Sequence, residues 1–209
     1  MATSKRARQK SQDQEIDLGV IEMHQVSEGM NFSSPIVINV YRQSETAKLP
    51  SYATDGSACF DLYADFTGVE KVKIYDTNNR EIERVVQKFP EHDNALGVVI
   101  DSGERALIPL NLIFDIPENW KMLIYSRSGN SLKKGVTLAN GVGVVDHDYV
   151  GPVFITIHNN SDIRLVIKQS DRVAQAEVVP VFKSIFIDHE QPPSQKTERS
   201  GGFGSTGTI

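Results

Sequence analysis

Short apolar segments follow one another along most of the chain, beginning at Pro35. Many alternate apolar with polar residues, as a strand with one buried face does, and hardly any show the spacing of an amphipathic helix. Asp, Asn, Gly, Ser and Pro stand in nearly all the turns between them. The pattern predicts an all-β sandwich or barrel, with strands near these segments: 36–41, 58–64, 71–75, 82–89, 96–100, 106–116, 121–126, 135–140, 142–145, 152–158, 164–168 and 172–187.

One segment departs from this pattern. Residues 126–134, SRSGNSLKK, begin with a serine able to cap a helix and end before Gly135, so they predict one short helix. Pro180, inside the last predicted strand, indicates an edge or a bend because proline cannot donate a ladder hydrogen bond.

The composition changes at both ends of the chain. Residues 1–34 are polar, with a basic start followed by acidic residues and no sustained periodicity, which predicts a disordered N-terminal arm. Core residues are lost again after Ile187, which predicts a flexible C-terminal arm over 188–209 with a glycine-rich end. We therefore expect one β domain over 35–187.

Composition and charge limit the partners and the compartment. The formal net charge of −5 argues against a protein that coats nucleic acid, because such binding depends on many Lys and Arg. The single cysteine, Cys59, excludes an internal disulfide and fits a reducing compartment. Neither a run long enough for a membrane helix nor a secretory signal is visible. We expect a soluble, cytoplasmic protein with no nucleic-acid or membrane partner.

The sequence NGVGVVDHDYVG, residues 140–151, combines an apolar strand, flexible glycines, an acid and an aromatic ring. Gly141 and Gly143 permit backbone angles closed to other residues, so a ligand could lie against main-chain N–H and C=O groups. Asp146 and Tyr149 follow where the apolar run ends. Taken alone, the stretch predicts either a nucleoside pocket or an ordinary β-hairpin with a solvated Asp-His-Asp turn at residues 146–148.

Five motifs occur in a fixed order: GSACFDLYA (56–64), YSRSGNSLKKG (125–135), NGVGVVDHDYVG (140–151), RVAQAEVVPV (172–181) and RSGGFGSTG (199–207). Together they resemble the homotrimeric dUTP diphosphatases, the dUTPases. The resemblance implies a jelly-roll-like β barrel with one short helix and a homotrimer whose three active sites are shared between subunits. It also implies Mg²⁺ and hydrolysis of dUTP to dUMP and pyrophosphate, which keeps uracil out of DNA and supplies dUMP.

The resemblance assigns roles to residues in the first and third motifs. It implies that Asp146 orients or deprotonates the attacking water, and that Asp61 lies behind the metal and an arginine without chelating the ion. Tyr149 resembles a gate that packs on the deoxyribose and excludes a 2′-hydroxyl. Asn140 and the backbone around Gly143 resemble the reader of the uracil edge.

The resemblance places the phosphates on residues of the second and fourth motifs. Arg127, Ser128 and Gly129 match a phosphate-binding turn, and guanidinium groups and helix-start N–H groups both suit anions. Gln175 resembles a phosphate-contacting glutamine, with Arg172 as its structural companion. None of these residues is expected to bind the metal directly, because the triphosphate supplies most of the Mg²⁺ ligands.

The fifth motif resembles a ligand-gated lid. Phe203 would stack on the base, while Arg199 and the backbone of Gly204 and Ser205 would contact phosphates. The spacing from arginine to phenylalanine is one residue shorter than the usual family pattern, so Lys196 is an alternative to Arg199.

Two further differences from the family pattern lie outside the catalytic groups. The chain is longer between Asp61 and Arg127 than in typical members, and the surplus forms a hairpin-like insertion over about 68–95 that we expect at the surface. Pro152 follows Gly151 where many relatives have a polar residue.

Two other functions remain open from the sequence. A dCTP deaminase shares the fold and several motifs, but Thr156 stands where that enzyme needs a glutamate. A dUTP-sensing regulatory protein would use the same pocket without needing a base such as Asp146. A histidine metal site is excluded by spacing, because the five histidines form no helical pair of ligands.

Overall fold

The computed structural model describes residues 35–198. In this part of the chain the strands are β1 (Asn39–Arg42), β2 (Ser51–Tyr52), β3 (Phe60–Tyr63), β4 (Lys71–Tyr75), β5 (Glu81–Val85), β6 (Gln87–Phe89), β7 (Ala95–Ile100), β8 (Arg105–Pro109), β9 (Leu112–Asp115), β10 (Trp120–Tyr125), β11 (Val136–Leu138), β12 (Gly143–Asp146), β13 (Phe154–Asn159), β14 (Leu165–Lys168) and β15 (Arg172–Pro180). The one α-helix of these residues is α1 (Ser128–Lys134), and a 3₁₀ turn covers Pro90–His92.

Antiparallel pairing arranges these strands in two five-stranded sheets and two smaller ones. The first, which we call the site sheet, has the order β12-β10-β15-β3-β2, and the second has the order β11-β13-β8-β4-β5. The smaller sheets have the orders β14-β7-β6 and β1-β9. The prediction of an all-β, jelly-roll-like fold with one short helix is confirmed.

Both large sheets contribute to one continuous hydrophobic core. Leu62 and Met122 come from the site sheet, while Ile74, Ile108 and Ile155 come from the second sheet, and all five are almost completely buried. Burying a side chain of this size contributes about 1.5–3 kcal/mol before the loss of conformational entropy is counted. The alternating burial of β4 and β13 shows the pattern that the sequence predicted.

Two predicted strands differ from the structure. The segment 82–89 divides at Val86 into β5, which pairs with β4, and β6, which pairs with β7 in another sheet. The last strand ends at Pro180, opposite Trp120, and does not continue to Ile187. The apolar side chains beyond it are exposed: Phe182, Ile185, Phe186 and Ile187.

The short helix also begins differently from the prediction. Its N-cap is Arg127, which makes no side-chain capping bond, so the proposed serine cap is wrong. The hydroxyl of Ser126 instead accepts a hydrogen bond from the backbone N–H of Leu138 at 2.8 Å. Gly135 ends the helix with φ 64°, as its position predicted, and its N–H donates to the carbonyl of Asn130.

The insertion over about 68–95 is more than a surface hairpin. Val72 and Ile74 on β4 belong to the core, and Ile74 pairs with Ala106 on β8. The guanidinium of Arg84 on β5 donates to both carboxylate oxygens of the buried Glu104, at 2.7 and 2.9 Å. The hairpin therefore extends the second sheet and is held to it by core packing and a partly buried ion pair.

The described strands lie in one compact unit that begins at Ile38. The arm proposed for residues 1–34 lies outside the described residues. Within residues 35–198, no helix is long and apolar enough to cross a membrane.

Candidate functional site

Two arginines share one buried aspartate at an end of the site sheet. Nε of Arg127 donates to Oδ1 of Asp61 at 2.7 Å, and Nη1 of Arg172 donates to Oδ2 at 3.1 Å. Asp61 is only 7% exposed, whereas its partners keep part of their surface open to solvent. Each oxygen of the carboxylate therefore orients one guanidinium, whose remaining N–H groups are available to an anion.

The register of three strands builds this cluster. Asp61 on β3 lies directly opposite Gln175 on β15, so the two side chains share a face of the sheet. A bulge at Val173 then shifts the register, so that Arg172 lies opposite Tyr63. Without the bulge, Arg172 would lie on the opposite face from Gln175, because side chains alternate along a strand. We call Asp61, Arg127, Arg172 and Gln175 the arginine cluster.

The backbone around α1 is tied to the same cluster. Nε2 of Gln175 donates to the carbonyl of Ser126 at 3.1 Å, and Nδ2 of Asn130 donates to the carbonyl of Arg172 at 3.0 Å. A cavity of about 180 Å³ opens here, lined by Arg127, Asn130, Lys134, Val136, Leu165, Ile167, Asp171 and Arg172. Three of these side chains are cationic and one is acidic, so the cavity favours an anionic ligand.

Ser128 and Gly129 occupy the first two positions of α1 and are exposed. A Cβ added to Gly129 would meet no atom within 4 Å, which shows that the space beside the start of α1 is open.

The segment predicted as a β-hairpin has a different connection. β12, before the predicted Asp-His-Asp turn, pairs with β10 in the site sheet, whereas β13, after that turn, pairs with β11 and β8 in the second sheet, so the hairpin prediction is wrong. Residues 139–142, which we call the crossover turn, carry the chain between the sheets. A positive φ of 71° at Gly141 allows the turn, and the N–H of Val142 donates to the carbonyl of Asn140.

Asn140 is held by Thr156 on β13. The hydroxyl of Thr156 donates to Oδ1 of Asn140 at 2.9 Å, and the carbonyl of Thr156 accepts from the N–H of Ala139 at 2.8 Å. Gly143 follows the turn at the start of β12, opposite Ile124. A Cβ at Gly143 would lie 3.1 Å from Cβ of Ile124 and 3.5 Å from Nδ2 of Asn140, so glycine keeps the amide close to the backbone.

Asp146 and Tyr149 lie beyond the other end of β12. The side chain of Asp146 is exposed, and its backbone lies opposite Lys121 of β10 in the strand register. Its carbonyl accepts a hydrogen bond from the N–H of Tyr149 at 3.2 Å. The Tyr149 hydroxyl donates to the carbonyl of Pro152 at 2.8 Å. A Cβ on Gly151 would lie 2.8 Å from that hydroxyl oxygen, so only glycine there lets the ring fold back over the turn.

One chain brings some of the predicted residues together and keeps others apart. Asp61, Arg127 and Gln175 form one cluster, and Asn140 lies beside Gly143. Gly143 lies opposite Ile124, near the end of β10 that leads to Arg127. Asp146 lies opposite Lys121, near the start of β10. Arg199, Phe203, Gly204 and Ser205 lie outside the described residues, so the lid remains a prediction.

The thiol of Cys59 and the phenol of Tyr125 stay protonated at neutral pH, because the pKa of each group is raised. Burial, followed by the negative charge of Glu177, raises the pKa of Cys59. The pKa of Tyr125 is raised first by the hydrogen bond from its hydroxyl to Glu177, then by burial and the charge of that carboxylate. Because a nucleophilic cysteine reacts as its thiolate, Cys59 is poorly suited to covalent catalysis.

In residues 35–198, no three His, Cys, Asp or Glu side chains lie close enough to hold a metal ion. A metal cage built by these side chains alone does not fit the site. An ion carried by a ligand's own phosphate oxygens needs no such cage.

Sequence reasoning left four positioning contacts undetected: those of Arg172, Thr156, Asn130 and Ser126. It described Arg172 only as a companion of Gln175 and Thr156 only as the position where a deaminase needs an acid. The Arg172 contact depends on a bulge and the Thr156 contact on the pairing of β13 with β11, and no local sequence signal reveals either. Asn130 and Ser126 were placed in the helical motif, but their bonds to β15 and β11 were not anticipated.

The fold, the arginine cluster and the crossover turn define a jelly-roll-like β protein with a basic group of side chains at one end of the site sheet. Residues 95–207 match the family model dUTPase. The deoxyuridine 5′-triphosphate nucleotidohydrolase of Hydrogenobaculum sp. (strain Y04AAS1) is 34% identical over 80% of this chain and 96% of its own length. The protein of that name from Wolbachia sp. subsp. Brugia malayi is 37% identical over 76% of this chain and 85% of its own. The chain belongs to the dUTPase family, as its motifs indicated.

Solved structures agree on the fold. A dUTPase of Staphylococcus bacteriophage 80alpha with dUpNHpp has a TM-score of 0.59 at 22% identity and covers 83% of this chain and 100% of that one. A dUTPase from phage phi11 of S. aureus, described with a structural Mg(II) ion, has a TM-score of 0.56 at 21% identity, covering 76% and 100%.

Proposed function

We propose that this protein hydrolyses dUTP to dUMP and pyrophosphate in sites shared between the subunits of a homotrimer. The observation that carries the proposal is the arginine cluster: one buried carboxylate holds two guanidinium groups beside Gln175 and the start of α1. The arginine cluster suits the triphosphate of dUTP, because one guanidinium group can donate two parallel hydrogen bonds to phosphate oxygens. Membership of the family supports the same substrate.

The crossover turn and Gly143 are proposed to bind the base, and Tyr149, beyond β12, is proposed to bind the sugar. Asn140 and the backbone at Gly143 would read the uracil edge, since the amide lies close against a glycine that leaves the main chain open. The ring of Tyr149 would pack on the deoxyribose and occupy the space of a 2′-hydroxyl. Selecting uracil and excluding a 2′-hydroxyl both require a rigid backbone. The crossover turn connects strands of both large sheets, which hold it in place.

The reaction proceeds without a covalent intermediate in this proposal. The carboxylate of Asp146 orients a water molecule and takes its proton as the water oxygen bonds to the α-phosphorus, and the bond between that phosphorus and the pyrophosphate oxygen breaks. Arg127 and Gln175 stabilise negative charge on the phosphate oxygens. Mg²⁺, when bound to the triphosphate, adds positive charge there, and no described residue is assigned to it as a ligand.

Two observations support a site assembled from more than one subunit. Asp146 lies opposite Lys121, and the strand from Lys121 to its end at Tyr125 spans about 13 Å before the chain continues to Arg127. A water held by Asp146 in one chain is therefore far from phosphates held by Arg127 of that chain. Many apolar side chains are also exposed in a single chain, and burial between subunits would cover them: Val142, Val144, Val150, Phe154, Phe182, Ile185, Phe186 and Ile187.

The C-terminal residues are proposed to complete the site as a lid. Phe203 would stack on the base, and Arg199, Gly204 and Ser205 would contact the phosphates. Ordering each residue costs roughly 1–2 kcal/mol, so closure is expected only when stacking and several phosphate contacts act together.

The test is turnover of a nucleotide panel. The protein is incubated with Mg²⁺ and, separately, with dUTP and each of the eight common nucleoside triphosphates, and pyrophosphate release is measured. We expect release from dUTP alone at a substantial rate. Release from several of the other nucleotides, or from none of the nine, would contradict the proposed substrate.

A further inference from the structure

One wall of the cavity beside the arginine cluster is a face of α1. Arg127, Asn130 and Lys134 line that cavity, and they are three and four residues apart along the chain. Residues at this spacing share one face of a helix. Lys133, the neighbour of Lys134, is exposed and does not line the cavity. The helix therefore turns one of its two adjacent lysines towards the cavity.

Two hydrogen bonds of Asn130 hold this face of α1 in place. Its backbone N–H donates to the carbonyl of Arg127 at 3.0 Å, and its Nδ2 donates to the carbonyl of Arg172 at 3.0 Å. A backbone carbonyl only accepts hydrogen bonds, so the amide nitrogen points towards β15. Lys134 lies one turn further on, and the side chain of a helical residue leans back over the turn before it. The ammonium group of Lys134 can therefore reach the cavity beside Asn130.

Lys134 decides the sign of the charge around the cavity. The guanidinium groups of Arg127 and Arg172 share the carboxylate of Asp61, and Asp171 adds a second negative charge to the lining. These two acids balance the two arginines. Within the described part of the chain, the ammonium group of Lys134 forms no ion pair. Its charge therefore makes this group of side chains positive overall.

We propose that Lys134 is a further substrate-binding residue, whose ammonium group contacts phosphate oxygens of the triphosphate. The inference rests on the proposed function, in which Arg127 and Gln175 contact the same phosphates. An ammonium group is a compact charge with three donors on a flexible stem, so it can follow a phosphate that the arginines hold. A lysine in the last turn of a helix also interacts favourably with the helix dipole, but Lys133 shares that role and lacks the cavity.

The experiment compares Lys134→Met with Lys133→Met, which both remove one charge from the last turn of α1 and keep a long side chain. The measurements are kcat/KM for dUTP and the inhibition constant of deoxyuridine, which carries no phosphate. At an ionic strength of about 0.15 M, we expect Lys134→Met to lower kcat/KM roughly threefold to tenfold and Lys133→Met to change it little. The difference should shrink at about 1 M, where salt screens the contact. Lys134→Arg keeps the charge and should restore kcat/KM.

An unchanged kcat/KM in Lys134→Met overturns the inference, and so does an equal fall in Lys133→Met, which would indicate a general effect of charge on α1. A weaker inhibition by deoxyuridine in Lys134→Met also overturns it, because the contact is proposed for phosphate alone. Absence of dUTP hydrolysis by the unmodified protein is a distinguishable result, since it overturns the proposed function and this inference with it.

Discussion

Asp146 and Arg127 belong to opposite ends of β10: Asp146 pairs with Lys121 near its start, and Arg127 follows two residues after its end at Tyr125. If the catalytic water is held by one chain and the phosphates by another, two inactive variants can complement each other. We expect Asp146→Asn and Arg127→Ala each to be inactive alone and to regain activity after subunit exchange, measured as pyrophosphate release from dUTP.

The control for this experiment uses two residues from the same end of the sheet. Arg127→Ala mixed with Gln175→Ala should remain inactive, because Arg127 and Gln175 lie in one cluster and neither chain supplies an intact one. Activity in this mixture, or its absence in the first mixture when mixed oligomers are shown to form, would contradict the shared site.

Asp146→Asn should abolish hydrolysis while leaving the affinity for dUTP within about tenfold, because the substitution removes a base and preserves the shape of the side chain. Turnover and dUTP binding are measured on the same preparation. Substantial remaining turnover would show that another group accepts the proton of the attacking water.

Tyr149→Ala should admit UTP as a substrate, because the ring is proposed to occupy the space of the 2′-hydroxyl. Tyr149→Phe is the matched variant: it keeps the ring but loses the hydrogen bond to the carbonyl of Pro152. We expect kcat/KM for UTP to rise in the alanine variant and to change little in the phenylalanine variant. Continued rejection of UTP by Tyr149→Ala would locate the sugar gate elsewhere.

Arg84→Ala should lower the free energy of unfolding by about 2–3 kcal/mol, because it leaves the buried carboxylate of Glu104 without its cation. The expected loss is smaller than for a fully buried pair, since Arg84 is partly exposed. Lys71→Ala, which breaks an exposed ion pair with Glu83 in the same hairpin, should cause no measurable change. Denaturant unfolding that shows equal effects would mean that the Arg84 pair does not hold the insertion.

Asp65 should make stability depend on acid pH. Burial raises its pKa, but hydrogen bonds to the carboxylate outweigh burial and hold the pKa below its ordinary value of 3.8; the donors are Thr46, Asn111, Thr67 and Gln169. A folded-state pKa below the unfolded one gives stability that is present above about pH 4 and is lost as the pH falls through the folded value.

The test follows unfolding of the wild type and of Asp65→Asn between pH 2 and 7. We expect the difference in stability between them to shrink as the pH falls below 3.8, the ordinary pKa of the group. Asp162→Asn, which makes the same substitution at an exposed position, is the control. A difference that stays constant over this range would show that the charge of Asp65 is not what the four donors stabilise.

The sequence by itself determined the fold class, the short helix and the family. Alternating burial such as Val72 and Ile74 on β4 follows directly from local pattern, because side chains alternate along a strand whatever its neighbours are. Gly135 ends α1 for an equally local reason, since a left-handed residue is needed there. The motif order also identified the dUTPase family before any contact was known.

Only the tertiary structure decided which strands are neighbours. The bulge at Val173 moves Arg172 onto the face of Asp61, and the crossover turn takes Asn140 from one sheet to the other. Local pattern cannot reveal either feature, because a change of one residue in register reverses the face of a side chain while leaving its own sequence alternation intact. The contact of Thr156 with Asn140 joins residues that are 16 positions apart, and it exists because long-range pairing brings β13 beside the turn.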